Sequence, residues 1–166
     1  MSRYNTIIPN DIVNGQGVCT SFFVQGCPHH CPGCFNEETW DFGGGQKYDN
    51  HTKWKIIEAI GANGLQRNFS ILGGEPLAEQ NLEMVWDVID AVRHAYPNIK
   101  ITLWTGYTYD ELIRRRSETL SKILNGIDVL VDGPFIESEK DLELQLRGSR
   151  NQHIYEKNEG YWEFIE

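Results

Sequence analysis

"CTSFFVQGCPHHCPGCF" (residues 19–35) runs from an apolar segment straight into three cysteines. Residues 19–25 read as a β-strand, with Thr, Phe, Phe and Val in close succession. The ten residues that follow, 26–35, hold two prolines, two glycines and two histidines and read as a loop. Cys27, Cys31 and Cys34 sit in it at C-x3-C-x2-C spacing. Thiols held this close bind something or bond to each other.

Outward from this junction the chain alternates strand and helix. A helix is expected near 52–62, and a second strand over 68–72 (NFSIL) stops at Gly73-Gly74. Leu82, Val85, Trp86, Ile89 and Val92 recur on one face at 3.6-residue period, and Pro97 marks that helix's end. A third strand covers 99–104. Thr108 and Glu111 form a capping box opening helical sequence to about residue 125, with a break near Ser117. The fourth strand, 127–131, closes at Asp132-Gly133-Pro134, and Asn158-Glu159-Gly160 turns between two short strands. Such a series implies an α/β fold with a parallel sheet and right-handed crossovers. In these sheets chemistry gathers at the C-terminal ends of the strands. Four loops leave those ends: the cysteine loop, GGEP (73–76), TGYTY (105–109) and DGPF (132–135).

The 166 residues fit one domain, 1–166, with a sizeable core. A net charge of −9, from 15 basic against 24 acidic side chains, argues against a broad nucleic-acid surface. The apolar runs are too short for a bilayer, and the first fifteen residues lack a signal-peptide core, so a cytoplasmic protein without membrane attachment is expected. Four cysteines in a reducing compartment point to metal or catalytic use over disulfides.

Three thiols leave several readings open. Zinc in a closed shell wants four ligands, which His29 or His30 could complete, although no second ligand pair appears downstream. A disulfide leaves an odd cysteine. A four-iron cluster takes one thiolate per iron, so three leave one iron open to a small molecule. A purely structural thiol loop is the remaining possibility.

The C-x3-C-x2-C loop after the first strand, followed by GGEP after the second, resembles the radical S-adenosylmethionine superfamily. Within it the chain is similar to the activating proteins of anaerobic (class III) ribonucleoside-triphosphate reductase. That likeness runs almost end to end through DIVNGQG (11–17), GCPHHCPGCFNEETW (26–40), GGEPL (73–77), LWTGYTYDEL (103–112), DVLVDGPF (128–135) and RGSRNQ (147–152). Two departures stand out. The superfamily often has an aromatic residue before the third cysteine, where Gly33 stands here, and this narrower family commonly reads NGPG over residues 14–17.

The resemblance implies a truncated, TIM-like partial barrel of βα units. It also implies a [4Fe-4S] cluster held by Cys27, Cys31 and Cys34, with S-adenosylmethionine on the fourth iron. Reductive cleavage of that cofactor would give a 5′-deoxyadenosyl radical, which would take hydrogen from a glycine of the reductase large subunit. A low-potential donor such as flavodoxin would supply the electron. Gly73 and Gly74 would let backbone approach the cofactor, and Glu75 would accept from its ammonium or brace the loop. Phe35, with the backbone at Gly33, would pack on the adenine. Thr105 would meet the ribose or carboxylate. Arg147 and Arg150 would order a closing loop or meet the partner, and Asp132 has no assigned contact.

Plainer readings stand beside these. Cys19 is expected to be a buried thiol. His29 and His30 are expected to shape the cysteine loop. Arg114–Arg116 suit a solvated helix end. Trp40, Trp54, Trp86 and Trp104 are expected to pack. Two competing functions remain: a small radical enzyme acting on a metabolite, as in deazapurine biosynthesis, and a non-enzymatic zinc or electron-transfer module.

Overall fold

The computed structural model describes residues 2–166. The strands are β1 (Arg3–Asp11), β2 (Cys19–Val24), β3 (Gln46–Lys47), β4 (Asn68–Gly73), β5 (Ile101–Trp104), β6 (Val129–Asp132), β7 (His153–Asn158) and β8 (Tyr161–Phe164). The helices are α1 (Asn50–Ile60), α2 (Leu82–Ala95), α3 (Tyr109–Arg114) and α4 (Glu118–Gly126). The strands make one sheet in the order β3-β1-β2-β4-β5-β6-β7-β8. Its centre, β2-β4-β5-β6, is parallel, and antiparallel strands extend both sides.

The four central strands correspond to the four expected from the sequence. Period-2 alternation gives each strand two faces. Phe22 and Val24 of β2, Phe69 and Ile71 of β4, Ile101 and Leu103 of β5, and Leu130 of β6 join the main core. That core is closed by Ile56 and Ile60 of α1, by Val85, Val88, Ile89 and Val92 of α2, and by Leu120 and Ile123 of α4. The opposite face carries Phe23, Leu72, Trp104, Val129 and Val131, and with both faces covered the strands look continuously apolar. Two capping boxes start helices where local chemistry demands: Asp49 with Thr52 on α1, and Thr108 with Glu111 on α3. Ser117 accepts from the Leu120 N–H and restarts the chain as α4, which is the expected break.

β1 and β3 were not evident from sequence. Pro9 lies in β1, where the pairing with β2 shifts register between Ile8 and Asp11, so the missing N–H falls at an irregularity. Trp54 also departs from expectation, standing 60% exposed on α1. Trp86 is half-buried against the core, with Lys122 over its ring.

The segment after β1 crosses the face opposite the helices and is pinned by Asp11. Its carboxylate accepts from the Val13 N–H at 2.9 Å, Asn14 Nδ2 at 2.7 Å and Ser21 Oγ at 2.7 Å. Burial pushes this carboxyl up, but the hydrogen bonds from Asn14, Val13 and Ser21 outweigh it and hold the group below 3.8. A folded-state value below the unfolded one means the stabilisation is complete above about pH 4 and fades as pH falls through the lower folded value. Equilibrium unfolding between about pH 6 and pH 3 should therefore show a loss of stability with acid that is shallower in Asp11→Asn.

A candidate metal centre and its cavity

The cysteine loop leaves β2 at its C-terminal end and is zipped at its base. The Gly26 N–H donates to Thr39 O at 2.7 Å and the Cys27 N–H to Trp40 O at 3.1 Å. The Cys34 N–H donates to Cys31 O at 3.1 Å, closing a turn that needs the left-handed conformation of Gly33 (φ +76°). Cys27, Cys31 and Cys34 are free and half-buried, and all three line one cavity of about 500 Å³. That is within the ~300–1,000 Å³ usual for small-molecule sites. Among the described residues no three His, Cys, Asp or Glu side chains converge as ligands of one metal ion do. The three thiols instead stand around shared space.

The cavity lies on the sheet face opposite the helices. Its floor includes Phe23, Leu72 and Trp104, and Val13 and Asn14 bound one end. Gly73, Gly74 and Glu75 line it from the second loop, Thr105 and Gly106 from the third, and Gly133 from the fourth. Three of the chain's informative loops thus meet the cysteines, as the sheet's topology predicts. The Glu75 N–H donates to Gly26 O at 2.8 Å, which joins the GGEP loop to the base of the cysteine loop.

Of the residues named from sequence, Phe35, Gly73, Gly74, Glu75 and Thr105 line this cavity together with the three cysteines. Gly33 lies outside that lining, exposed beside Glu137. Glu75 is buried and braces the loops: Oε1 accepts from His29 Nε2 and the Gly106 N–H, and Oε2 from Thr105 Oγ1 and the Leu77 N–H. Thr105 therefore spends its hydroxyl proton on Glu75. Asp132 is buried away from the cavity lining, accepting the Tyr109 N–H at the start of α3 and the His153 N–H at the start of β7. Cys19 is buried, its thiol directed at Gln16 O.

Sequence reasoning named only the two ends of the long connection between β6 and β7, DGPF and the Arg147–Arg150 stretch, and missed that residues 133–152 together cover the cavity's other side. Phe135, Leu142, Leu144, Leu146 and Arg147 line the cavity from it. Trp104 Nε1 donates to Leu146 O at 2.6 Å, so this tryptophan fastens the connection as well as packing. Phe35 and Phe135 pack with ring centroids 5.0 Å apart. Arg147 pairs with Glu166 and reaches Gln152 O, whereas the Arg150 side chain is exposed. The signal available was length, since structureless connections over ~12–15 residues are usually functional.

Burial pushes the Cys27 thiol up to about 11, with the nearby charges of Glu75 and Cys31 adding to it. Burial likewise raises Cys31, helped by Cys34. A bound cation inverts this balance, because coordination deprotonates a thiol outright. Soft sulfur donors facing one cavity suit an iron–sulfur cluster. A Cys3His zinc shell fits less well: His29 Nε2 is engaged by Glu75, and His30 stacks on Trp40 at 4.6 Å.

The family described as a 4Fe-4S single cluster domain matches residues 13–155. Curated relatives carry the name anaerobic ribonucleoside-triphosphate reductase-activating protein. The one from Vibrio cholerae is 39% identical over 154 residues, covering 92% of this chain and 97% of the relative. Its counterpart from Escherichia coli K12 is 37% identical over the same shares. The one from Enterobacteria phage T4 is 33% identical over 162 residues, 96% of this chain and 97% of the relative. With a cluster family matched through the cysteine loop and likeness extending over nearly the whole of each relative, the chain belongs to the family of anaerobic ribonucleoside-triphosphate reductase-activating proteins.

Proposed function

We propose that the chain is a radical-generating activase that cleaves S-adenosylmethionine reductively and installs a glycyl radical on an anaerobic ribonucleoside-triphosphate reductase. The observation that carries this reading is the meeting of three free thiols from one loop with the GGEP and TGY loops around a single cavity. Cys27, Cys31 and Cys34 would hold a [4Fe-4S] cluster with one iron left open. When bound, the cluster supplies one electron to the sulfonium, whose carbon–sulfur bond breaks to methionine and a 5′-deoxyadenosyl radical able to take a glycine hydrogen of the reductase.

This chain's residues position and shield. Gly73 and Gly74 present bare backbone to the cavity, allowing close approach of a ligand. Phe35 offers an aromatic surface at the rim, supported by Phe135. Trp104, Leu72 and Phe23 give an apolar floor, and the connection over 133–152 narrows access for water. The parallel βα units, with helices on one face and the cavity on the other, support a partial, truncated barrel. One-electron chemistry at a thiolate-held cluster suits a reducing cytoplasm, with a low-potential donor such as a flavodoxin supplying the electron. No helix among the described residues is long and apolar enough to cross a membrane.

The test is anaerobic reconstitution with iron and sulfide, followed by reductant, S-adenosylmethionine and the anaerobic reductase. A glycyl radical signal on the reductase, stoichiometric with cofactor consumed in the first turnover, is expected. Cofactor cleavage without radical on the reductase would replace this reading with a metabolite enzyme. Stoichiometric zinc without iron would replace it with a non-enzymatic module.

A further inference from the structure

Glu75 is 1% exposed, and its carboxylate has donors at all of its roughly four acceptor positions. Leu77 N (2.9 Å), Thr105 Oγ1 (2.8 Å) and Gly106 N (2.7 Å) belong to its own loop and the next one. The fourth donor, His29 Nε2 at 2.7 Å, comes from the cysteine loop and is that loop's single link to the carboxylate. His29 stands midway between Cys27 and Cys31 in sequence. Its ring meets Tyr107 edge-on at 4.5 Å and fills the space over Gly106, where a Cβ would lie 2.6 Å from the imidazole. The neighbouring His30 turns away, with φ +48° and its ring stacked on Trp40.

We propose that His29 is the positioning residue of the cysteine loop: by donating to buried Glu75 it fixes the arc between Cys27 and Cys31 against the cavity, and it acts on the metal site without being a ligand. The loop is otherwise held at its base, at Gly26 and Cys27, and by packing of His30 on Trp40 and Phe35 on Phe135. The His29 hydrogen bond is what ties the arc between Cys27 and Cys31 to the buried carboxylate that joins the other two loops. Glu75 then serves as a shared anchor for three loops, with no acceptor left for the ammonium of a bound cofactor. The inference rests on the proposed cluster only for the identity of the metal.

The test compares wild type, His29→Gln, His29→Leu and Glu75→Gln. In metal-free protein, exchange of the Cys34 amide is read first. His29→Leu should speed it by about tenfold or more, the scale of a lost hydrogen bond to a charged group. His29→Gln, which keeps a donor at the same reach, should stay near wild type, and Glu75→Gln should follow His29→Leu. In reconstituted protein, iron release to a chelator should follow the same order. The paramagnetic spectrum of the reduced cluster should be altered in His29→Leu and restored in His29→Gln. Exchange and iron release in His29→Leu matching wild type would overturn the proposal. So would His29→Gln failing as badly as His29→Leu, since that makes the imidazole itself a ligand. If His29→Leu does not fold, His29→Asn replaces it: too short to reach Glu75, it should release iron faster than His29→Gln, and equal rates would overturn the tether. Wild type taking up no iron would defeat the proposed function while leaving the exchange result to decide the tether.

Discussion

Replacing any one of Cys27, Cys31 or Cys34 by alanine is expected to abolish S-adenosylmethionine cleavage. Substituting partners outside the ligand set of a metal costs ~10–100-fold. Losing one of three thiolates should exceed that, with activity down at least about 100-fold and iron per chain falling with it. Cys19→Ala is the internal control. Its thiol is buried against Gln16 O and takes no part in the cavity lining, so its loss should cost about 1 kcal/mol of stability and leave iron content unchanged. Iron analysis, thermal melting and methionine release on all four variants decide the assignment. Equal loss in Cys19→Ala with an intact fold would mean the ligands have been misassigned.

Gly74→Ala should damage the site severely for the addition of a single methyl. A Cβ at Gly74 would lie 2.5 Å from Gly26 O and 2.9 Å from Thr39 O, both backbone atoms that cannot swing aside. Relief requires the GGEP loop to part from the base of the cysteine loop. That strains the bonds from the Gly74 N–H to Val24 O and from the Glu75 N–H to Gly26 O, and it shifts Glu75 with its three loops. Overpacking of this kind costs about 1–3 kcal/mol. A misplacement of ~1 Å at the site can cost about 10²-fold in rate. Gly43→Ala, whose Cβ would meet only a side-chain oxygen at 3.4 Å, should melt and react like wild type. The pair is checked by melting temperature and by the rate of cofactor cleavage.

What could be read from the sequence follows the range of the forces involved. The central strands declare themselves as short apolar runs ending at glycine-rich loops, and α2 through its 3.6-residue periodicity, because both patterns are local. The capping box at Thr108 is likewise written within four residues, and the one at Asp49, equally local, was not read from the sequence. β1 is hidden because Pro9 breaks the expected ladder and its partner β2 supplies the pairing. The 133–152 connection has no periodicity at all, and it is held by single contacts such as Trp104 Nε1 to Leu146 O, 42 residues apart. The candidate ligands were legible because a metal demands donors at close spacing. The saturation of Glu75 was not, since its donors His29 and Thr105 lie 46 and 30 residues away in sequence. Trp54 and Trp104 make the same point: an aromatic side chain announces hydrophobic area, whereas its exposure is decided by which elements pack over it.

The central claim is that a metal centre on Cys27, Cys31 and Cys34 keeps one position open for S-adenosylmethionine. The paramagnetic resonance spectrum of the reduced, reconstituted protein, recorded with and without that compound, tests it directly. Direct coordination predicts a clear shift in the g-values on addition. A spectrum that stays the same at saturating S-adenosylmethionine, in protein shown to bind it, would contradict the account.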